Sequence, residues 1–210
     1  GFAASLHADI KLGDVLVADQ VDAYDANLKA VSGESGWEFQ HRGAVFHGEH
    51  AILQIIKQFR FTHRKQYELW CDQGASLLDD IVPQNKASEL ENVGAIREHP
   101  NLHIGHLASG SVVGAATGFT TFLKSRDATI RVLEMEAAGM TRAAVKRTQQ
   151  TPWLIIRGAS DFGDERKSEM DATGLGSLRR LAMLNAVNLM LSLVQNGVLS
   201  SQFLSSQSRR

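Results

Sequence analysis

The sequence predicts an α/β domain, and three observations carry the prediction. Two short runs of mainly β-branched and aliphatic residues, Ile130-Arg131-Val132-Leu133 and Trp153-Leu154-Ile155-Ile156, flank a stretch that reads as helix from Ala137 to Thr148, which makes a β-α-β unit. Apolar residues recur at helical spacing over Ala51 to Phe59 and again over Ser177 to Gly197. The 210 residues, 43% of them hydrophobic and 21% charged, suffice for one domain with a full core and have the balance of a soluble globular protein.

The elements follow in order. Gly1-Phe2-Ala3-Ala4-Ser5-Leu6 reads as a turn of small residues of the kind that closes a strand. With no strand before it, the chain is expected to be the C-terminal part of a larger domain. Gly13-Asp14 turns into Val15-Leu16-Val17-Ala18, a buried strand that continues to Val21 and Tyr24 and ends at Asp25-Ala26-Asn27. Ser32 to Gly43 is polar and contains glycine, hence a loop, and Ala44-Val45-Phe46 is a short strand. Ile52, Ile55, Ile56 and Phe59 set the helix over Ala51 to Phe59, and a second helix covers Arg64 to Leu78. Pro83 to Pro100 is a polar connection with a short helix over Ala87 to Val93. Leu102-His103-Ile104-Gly105-His106-Leu107 alternates as a strand and ends at Ala108-Ser109-Gly110.

After the β-α-β unit, Asp164 to Gly176 is charged and rich in glycine, which reads as a mobile surface loop. Ser177 to Gly197 is an amphipathic helix with Leu178, Leu181, Ala182, Leu189, Met190 and Leu193 on one stripe and Gly197 as its C′ stop. The domain therefore covers residues 1–197, and residues 198–210, rich in Ser, Gln and Arg, form a polar tail or linker.

The formal net charge of −1 gives no electrostatic reason for a nucleic acid or an anionic membrane as partner. The longest apolar stretches are broken well short of a membrane span, and no secretory leader is visible. Cys71 is the single cysteine, so an internal disulfide is excluded and a reducing, cytoplasmic setting is expected.

Two carboxylate sites end the runs of the β-α-β unit: Glu134-Met135-Glu136 after the first, Ser160-Asp161 after the second. Strand ends are where open α/β sheets bind small ligands. Two acids converging on one pocket suit cleavage of a sugar–base bond, one holding the sugar hydroxyls and the other sharing a proton with the departing base. The plainer reading is that Glu136 caps a helix and Asp161 starts a turn, and spacing does not choose between them.

Other motifs carry less. The pairs His47/His50 and His103/His106 lack a third ligand and the helical context of zinc hydrolases, so no metal centre is expected, and no cofactor. Gly158-Ala159-Ser160-Asp161-Phe162 has Phe where a nucleophile elbow needs Gly, which argues against a serine hydrolase. Asp161-Phe162-Gly163 matches the kinase magnesium motif by three letters, with no catalytic loop to accompany it. The small residues of Ser109-Gly110-Ser111 either let a flat ligand approach the backbone or form a plain turn. Residues 1–6 could present backbone N–H groups to phosphate or ribose, or simply connect. Arg157 is an anion partner or a structural residue, and Asp25 a site or a turn residue.

In this order the motifs resemble those of the purine-nucleoside phosphorylase and methylthioadenosine/S-adenosylhomocysteine nucleosidase superfamily. Gly1 to Leu6 looks like its glycine-rich ribose/nucleophile loop, and Leu12-Gly13-Asp14-Val15-Leu16-Val17-Ala18 like the Gly-Asp strand that follows. Ser109-Gly110 matches the Ser-Gly-Asp stretch of the base pocket, Glu134-Met135-Glu136-Ala137-Ala138 the ribose-binding motif, and Arg157-Gly158-Ala159-Ser160-Asp161 the Ser-Asp motif. The likeness runs from residue 1 to about Val194 and is loose over residues 28–100.

The resemblance implies a three-layer α/β/α domain around a central mixed sheet that lacks its N-terminal strands. It also implies cleavage of the N-glycosidic bond of purine nucleosides or related nucleotides. Glu136 would hold the ribose 2′- and 3′-hydroxyls with Met135 against the sugar. Asp161 would be the catalytic group, bonding the base and helping to protonate N7, with Ser160 orienting it. Glu134, Ser109, Gly110, Val113 and Ala3 complete the expected substrate-binding set. Ser111, Val112 and Val113 stand where the nucleosidases have Asp and a stacking aromatic, so adenine selectivity does not follow. Hydrolysis is expected over phosphorolysis, and a non-catalytic nucleoside-sensing or effector module of the same fold is the third reading. The resemblance also implies a homo-oligomer. The family's N-terminal acid that activates water has no counterpart in this sequence, so the fragment is expected to be a poor catalyst.

Overall fold

The computed structural model describes residues 1–27, 29–33, 36–40, 42–147 and 151–199. Side-chain alternation along one long strand, β2 (Val15–Ala23), organises the centre. Val15 and Val17 face three helices, α1 (His50–Thr62), α2 (Arg64–Ile81) and α7 (Ser177–Gln195), whose Ile52, Ile56, Phe59, Trp70, Leu189 and Leu193 form a buried cluster with them. Leu16 and Ala18 point the other way, onto Ala3, Leu107, Val132 and Ala159.

Among the described residues the larger sheet has six strands, β1 (Phe2–Ser5), β2, β5 (Val45–His47), β6 (Leu102–Ser109), β7 (Ile130–Glu134) and β8 (Ile156–Asp161), in the order β5-β2-β6-β7-β1-β8. β2, β6 and β7 are mutually parallel, β1 and β8 run against them, and β5 is antiparallel to β2. The first half of β2 also pairs with β8, so the mixed sheet closes on itself. A ring this tight has little interior, which explains the small residues Ala3, Ala18 and Ala159 on its inner side. On another flank α4 (Thr117–Arg126) packs Leu123 and Phe119 over Ala108, Ile130 and Leu133.

Several expectations are corrected. Residues 1–6 are not a loop after a strand: Phe2–Ser5 is a strand, inserted between β7 and β8. Its small residues serve the crowded inside of the ring. The two acid-bearing strands are accordingly not a parallel β-α-β pair, since β1 separates them and β8 runs opposite to β7. The second of these strands starts at Ile156 rather than Trp153; Trp153 and Ile155 are buried ahead of it, and the strand continues through Arg-Gly-Ala-Ser-Asp. Glycine is required in that run. A Cβ on Gly158 would lie 1.9 Å from the carbonyl oxygen of Ala182 in α7, so the helix rests directly on the strand backbone.

Ser32 to Gly43 is not simply loop, because Lys29–Gly33 (β3) and Gly36–Gln40 (β4) pair as an antiparallel hairpin. The polar helix α3 (Gln84–Asn92) lies close to its expected place, and α4 had no sequence expectation at all. The helix after β7 is α5 (Ala137–Val145); its expected end, Thr148, lies outside the described residues. The glycine-rich stretch from Asp164 holds a short helix, α6 (Lys167–Ala172), and a 3-10 turn at Thr173–Leu175, with Met170 and Thr173 buried. Gly197 stops α7 with φ 70°, as its C′ position requires. Val198 and Leu199, assigned by composition to the tail, are buried in the core, and the remainder of the tail lies outside the described residues.

Candidate active site at the ends of β7 and β8

The site follows from the register of β1. Ala4 is paired with Leu133 of β7 on one side and Asp161 of β8 on the other. Two strand spacings put the acidic ends of β7 and β8 about 10 Å apart across a floor of β1. A cleft of about 240 Å³ opens there, lined by Phe2, Ala3 and Ala4 of β1, by Leu133 to Glu136, by Val112 to Gly114, and by Asp161, Lys167 and Arg179. A larger cleft of about 360 Å³ between α2 and α7 has no carboxylate in its lining.

Glu134 and Glu136 divide structural from exposed work. The Glu134 side chain is 2% exposed, and its oxygens accept from the N–H groups of Glu136 (3.1 Å) and Ala137 (2.9 Å) at the start of α5 and from Nε of Arg157 (3.0 Å). Burial pushes its carboxyl up, but the Ser109 hydroxyl, the Arg157 guanidinium and the Ala137 N–H together hold it below its ordinary 4.5. The side chain that satisfies the start of the helix is therefore Glu134. Glu136 has a side chain 72% exposed and shares Nη2 of Arg157 at 3.1 Å. Partial desolvation and the neighbouring Glu134 push it above its ordinary value, against the pull of Arg157. Met135, beside them, is exposed at the cleft wall.

Asp161 is 1% exposed and surrounded by donors. Oδ2 accepts from the Ser160 hydroxyl at 2.9 Å and from Nζ of Lys167 at 2.8 Å, and Oδ1 accepts from the N–H of Gly163 at 2.9 Å. Ser160 also lies 3.3 Å from the carbonyl oxygen of Ala3. Gly163, at φ 62°, turns the chain back after β8 and brings Lys167, at the start of α6, over the strand end. Glu165 fastens that turn to the start of α4 by accepting from the N–H (2.9 Å) and hydroxyl (2.7 Å) of Thr117.

Of the expected site residues, Ala3, Val113, Glu134, Met135, Glu136 and Asp161 line the cleft. Ser160, Ser109 and Gly110 stand behind it. Ser109 is fully buried, and its hydroxyl oxygen accepts from the N–H of Ala138 at 2.9 Å. The space that a side chain at Gly110 would fill is taken by the Tyr24 ring, 2.4 Å from the position of a Cβ, and not by the approach of a ligand.

Tyr24 and Asp25 have a positioning role that local sequence left open. The Asp25 carboxylate accepts the N–H and hydroxyl of Ser111 at 2.7 and 2.8 Å, and the Tyr24 hydroxyl sits 3.3 Å from the N–H of Val112. Together they hold the Val112–Val113 wall over the cleft. Lys167 and Arg179 were missed. Lys167 looked like one charge among many in a loop, and Arg179 like the polar face of a helix. Arg179 pairs with Asp171 and lies 5.4 Å from the centre of the Phe2 ring.

The histidines are dispersed: His103 pairs with Asp14 at 2.9 Å and His106 with Asp127 at 3.1 Å. Among the described residues no group of three His, Cys, Asp or Glu is placed to hold a metal ion, and no helix is long and apolar enough to cross a membrane.

No protein-family model matches the chain. Over 180 residues it is 27% identical to the ATP nucleosidase Cap17 of Escherichia coli strain KTE188, an alignment covering 80% of this chain and 31% of that protein. The chain thus spans about a third of the length of the curated relatives it matches. Among solved structures, the 5′-methylthioadenosine/S-adenosylhomocysteine nucleosidase of Neisseria meningitidis, in complex with methylthio-immucillin-A, superposes with a TM-score of 0.58 at 19% identity, covering 93% of this chain and 67% of that one. The Colwellia psychrerythraea nucleosidase, in complex with adenine, gives 0.59 at 19% identity over 92% and 63%. Futalosine hydrolase of Helicobacter pylori gives 0.53 at 19% over 93% and 66%. The mixed closed sheet with its flanking helices is therefore the fold of these structures.

Proposed function

We propose that this chain, having the fold of the methylthioadenosine/S-adenosylhomocysteine nucleosidases, cleaves the N-glycosidic bond of a purine nucleoside or nucleotide by hydrolysis. The observation that carries the reading is the convergence of Glu136 and Asp161 on one cleft from opposite sides of β1. Glu136, exposed and aligned by Arg157, accepts from the ribose hydroxyls, with Met135 against the sugar. Asp161 and the groups fixed on it face the base, where protonation at N7 makes a better leaving group. The transition state of such a reaction is oxocarbenium-like, so acids beside the sugar stabilise the charge that develops there. The ATP nucleosidases among the relatives direct attention to nucleotides. Arg179, lining the same cleft, supplies a positive charge suited to a 5′-phosphate.

We place the protein in the cytoplasm, in keeping with one unpaired cysteine, and read it as a homo-oligomer. The apolar rim of the cleft, with Val112 47% and Val113 55% exposed, supports a second copy closing over it.

Incubation with adenosine, methylthioadenosine and ATP, with and without inorganic phosphate, tests the reading. Free base released without phosphate is the expected result. Base released only with phosphate would replace hydrolysis by phosphorolysis, and no base under either condition would return the fold to a binding role.

A further inference from the structure

We propose that Lys167, anchored on Asp161, is the acid that meets the departing base. The inference rests on the nucleosidase reading of the cleft and assigns its proton donor. Both Asp161 oxygens are engaged as acceptors, from Ser160, Lys167 and the N–H of Gly163. Three donors thus converge on a carboxylate that is itself 1% exposed, and one of them, the Lys167 ammonium, also lines the cleft. The Lys167 side chain is 16% exposed, and only one of the three protons on Nζ is needed for the bond to Asp161. Another N–H is left to face the Hoogsteen edge of a purine, where N7 offers an in-plane lone pair.

The step balances without a further reactant. As the C1′–N9 bond breaks, its electron pair passes to the base, and a proton moves from Nζ of Lys167 to N7. Water adds its oxygen to C1′, and the proton that water releases restores the ammonium through solvent. A departing purine anion is far more basic than a carboxylate and close to an amine, so an ammonium shares its proton effectively at the transition state. Asp161 is then the positioning residue that holds Nζ in the cleft, and Ser160 and Gly163 fix Asp161. The substrate class is a riboside whose base presents an unprotonated N7.

The test compares adenosine with p-nitrophenyl β-D-riboside, whose leaving group departs without a proton. Lys167→Met is expected to slow adenosine cleavage by about 10²–10⁴-fold in kcat and leave the nitrophenyl riboside within about threefold of wild type. Lys167→Arg should recover part of the adenosine rate, and Asp161→Asn should cost less than Lys167→Met. An equal slowing of both substrates by Lys167→Met, or an unchanged adenosine rate, would overturn the assignment while leaving the nucleosidase reading intact. A wild-type protein that cleaves neither riboside would overturn both. Should Lys167→Met not fold, the double variant Lys167→Met/Asp161→Asn, which removes both charges, is read for the same split between substrates.

Discussion

The ends of β7 and β8 meet in one cleft and are built in opposite ways. At β8 the acid is itself buried: Asp161 is 1% exposed, and its ammonium partner comes from the start of α6, six residues on. At β7 the work is split between two acids. Glu134 is buried and ties α5 and Arg157 to the strand, while Glu136 stands in solvent with its side chain 72% exposed. A buried acid needs a full set of donors before it can serve anything else. At β7 Glu134 takes that set, which leaves Glu136 exposed at the cleft with Arg157 as its partner. At β8 the acid that lines the cleft is Asp161, which fills the structural position, and the outward role is the one we propose for Lys167.

The sharpest way to break this comparison is to remove each acid in turn. Asp161→Ala leaves the Lys167 charge and the Gly163 N–H without their acceptor and is expected to cost about 3–5 kcal/mol in urea unfolding. A loss no larger than that of an exposed residue would show that Asp161 is not the anchor of its strand end.

Glu134→Gln should cost about 1–3 kcal/mol by the same measurement, because Arg157 loses its buried charged partner. The pH dependence carries a sign. Glu134 is held below its ordinary 4.5 in the folded protein, so its contribution to stability is present above that value and disappears as pH falls through the folded one. Urea midpoints taken at decreasing pH should decline on that acid limb, and Glu134→Gln should flatten it.

Glu136→Gln tests the other half. Its effect on unfolding should stay within about 0.5 kcal/mol, as for other exposed sites. KM for a purine nucleoside should rise about tenfold, as expected for losing a charged hydrogen-bond acceptor. A stability loss matching that of Glu134→Gln would erase the division between the two glutamates. The smallest expected effect is a gain. A Cβ on Gly139 in α5 meets nothing within 4 Å, so Gly139→Ala should raise stability by about 0.5–1 kcal/mol, read as a higher urea midpoint.

How much of this was legible depended on how local the cause was. Glu136 and Asp161 could be picked out because each follows a run that reads as a strand, and both lie in the cleft. The reason for Gly110 is not legible locally, because the group that needs its missing side chain, the Tyr24 ring, belongs to a distant part of the chain. Phe2–Ser5 read as a turn because its alanines and serine are poor strand formers, and only the neighbours β7 and β8 make them one. Lys167 carried no signal, since a lysine in a charged stretch resembles any solvated lysine until the turn at Gly163 brings it back over Asp161.

The sequence by itself determined the buried strand β2, the amphipathic α1 and α7, the glycine stop of α7 and the two acidic motifs. Each depends on the identity of residues within a turn or two of one another. Only the tertiary structure decided that β1 lies between the acid-bearing strands, that these strands run in opposite directions, and that the sheet closes through β2 and β8. It also decided which carboxylate is buried and which is exposed. Those outcomes follow from burial and from partners far away in the chain, and these set the charge state and role of an acid more strongly than its neighbours in sequence do.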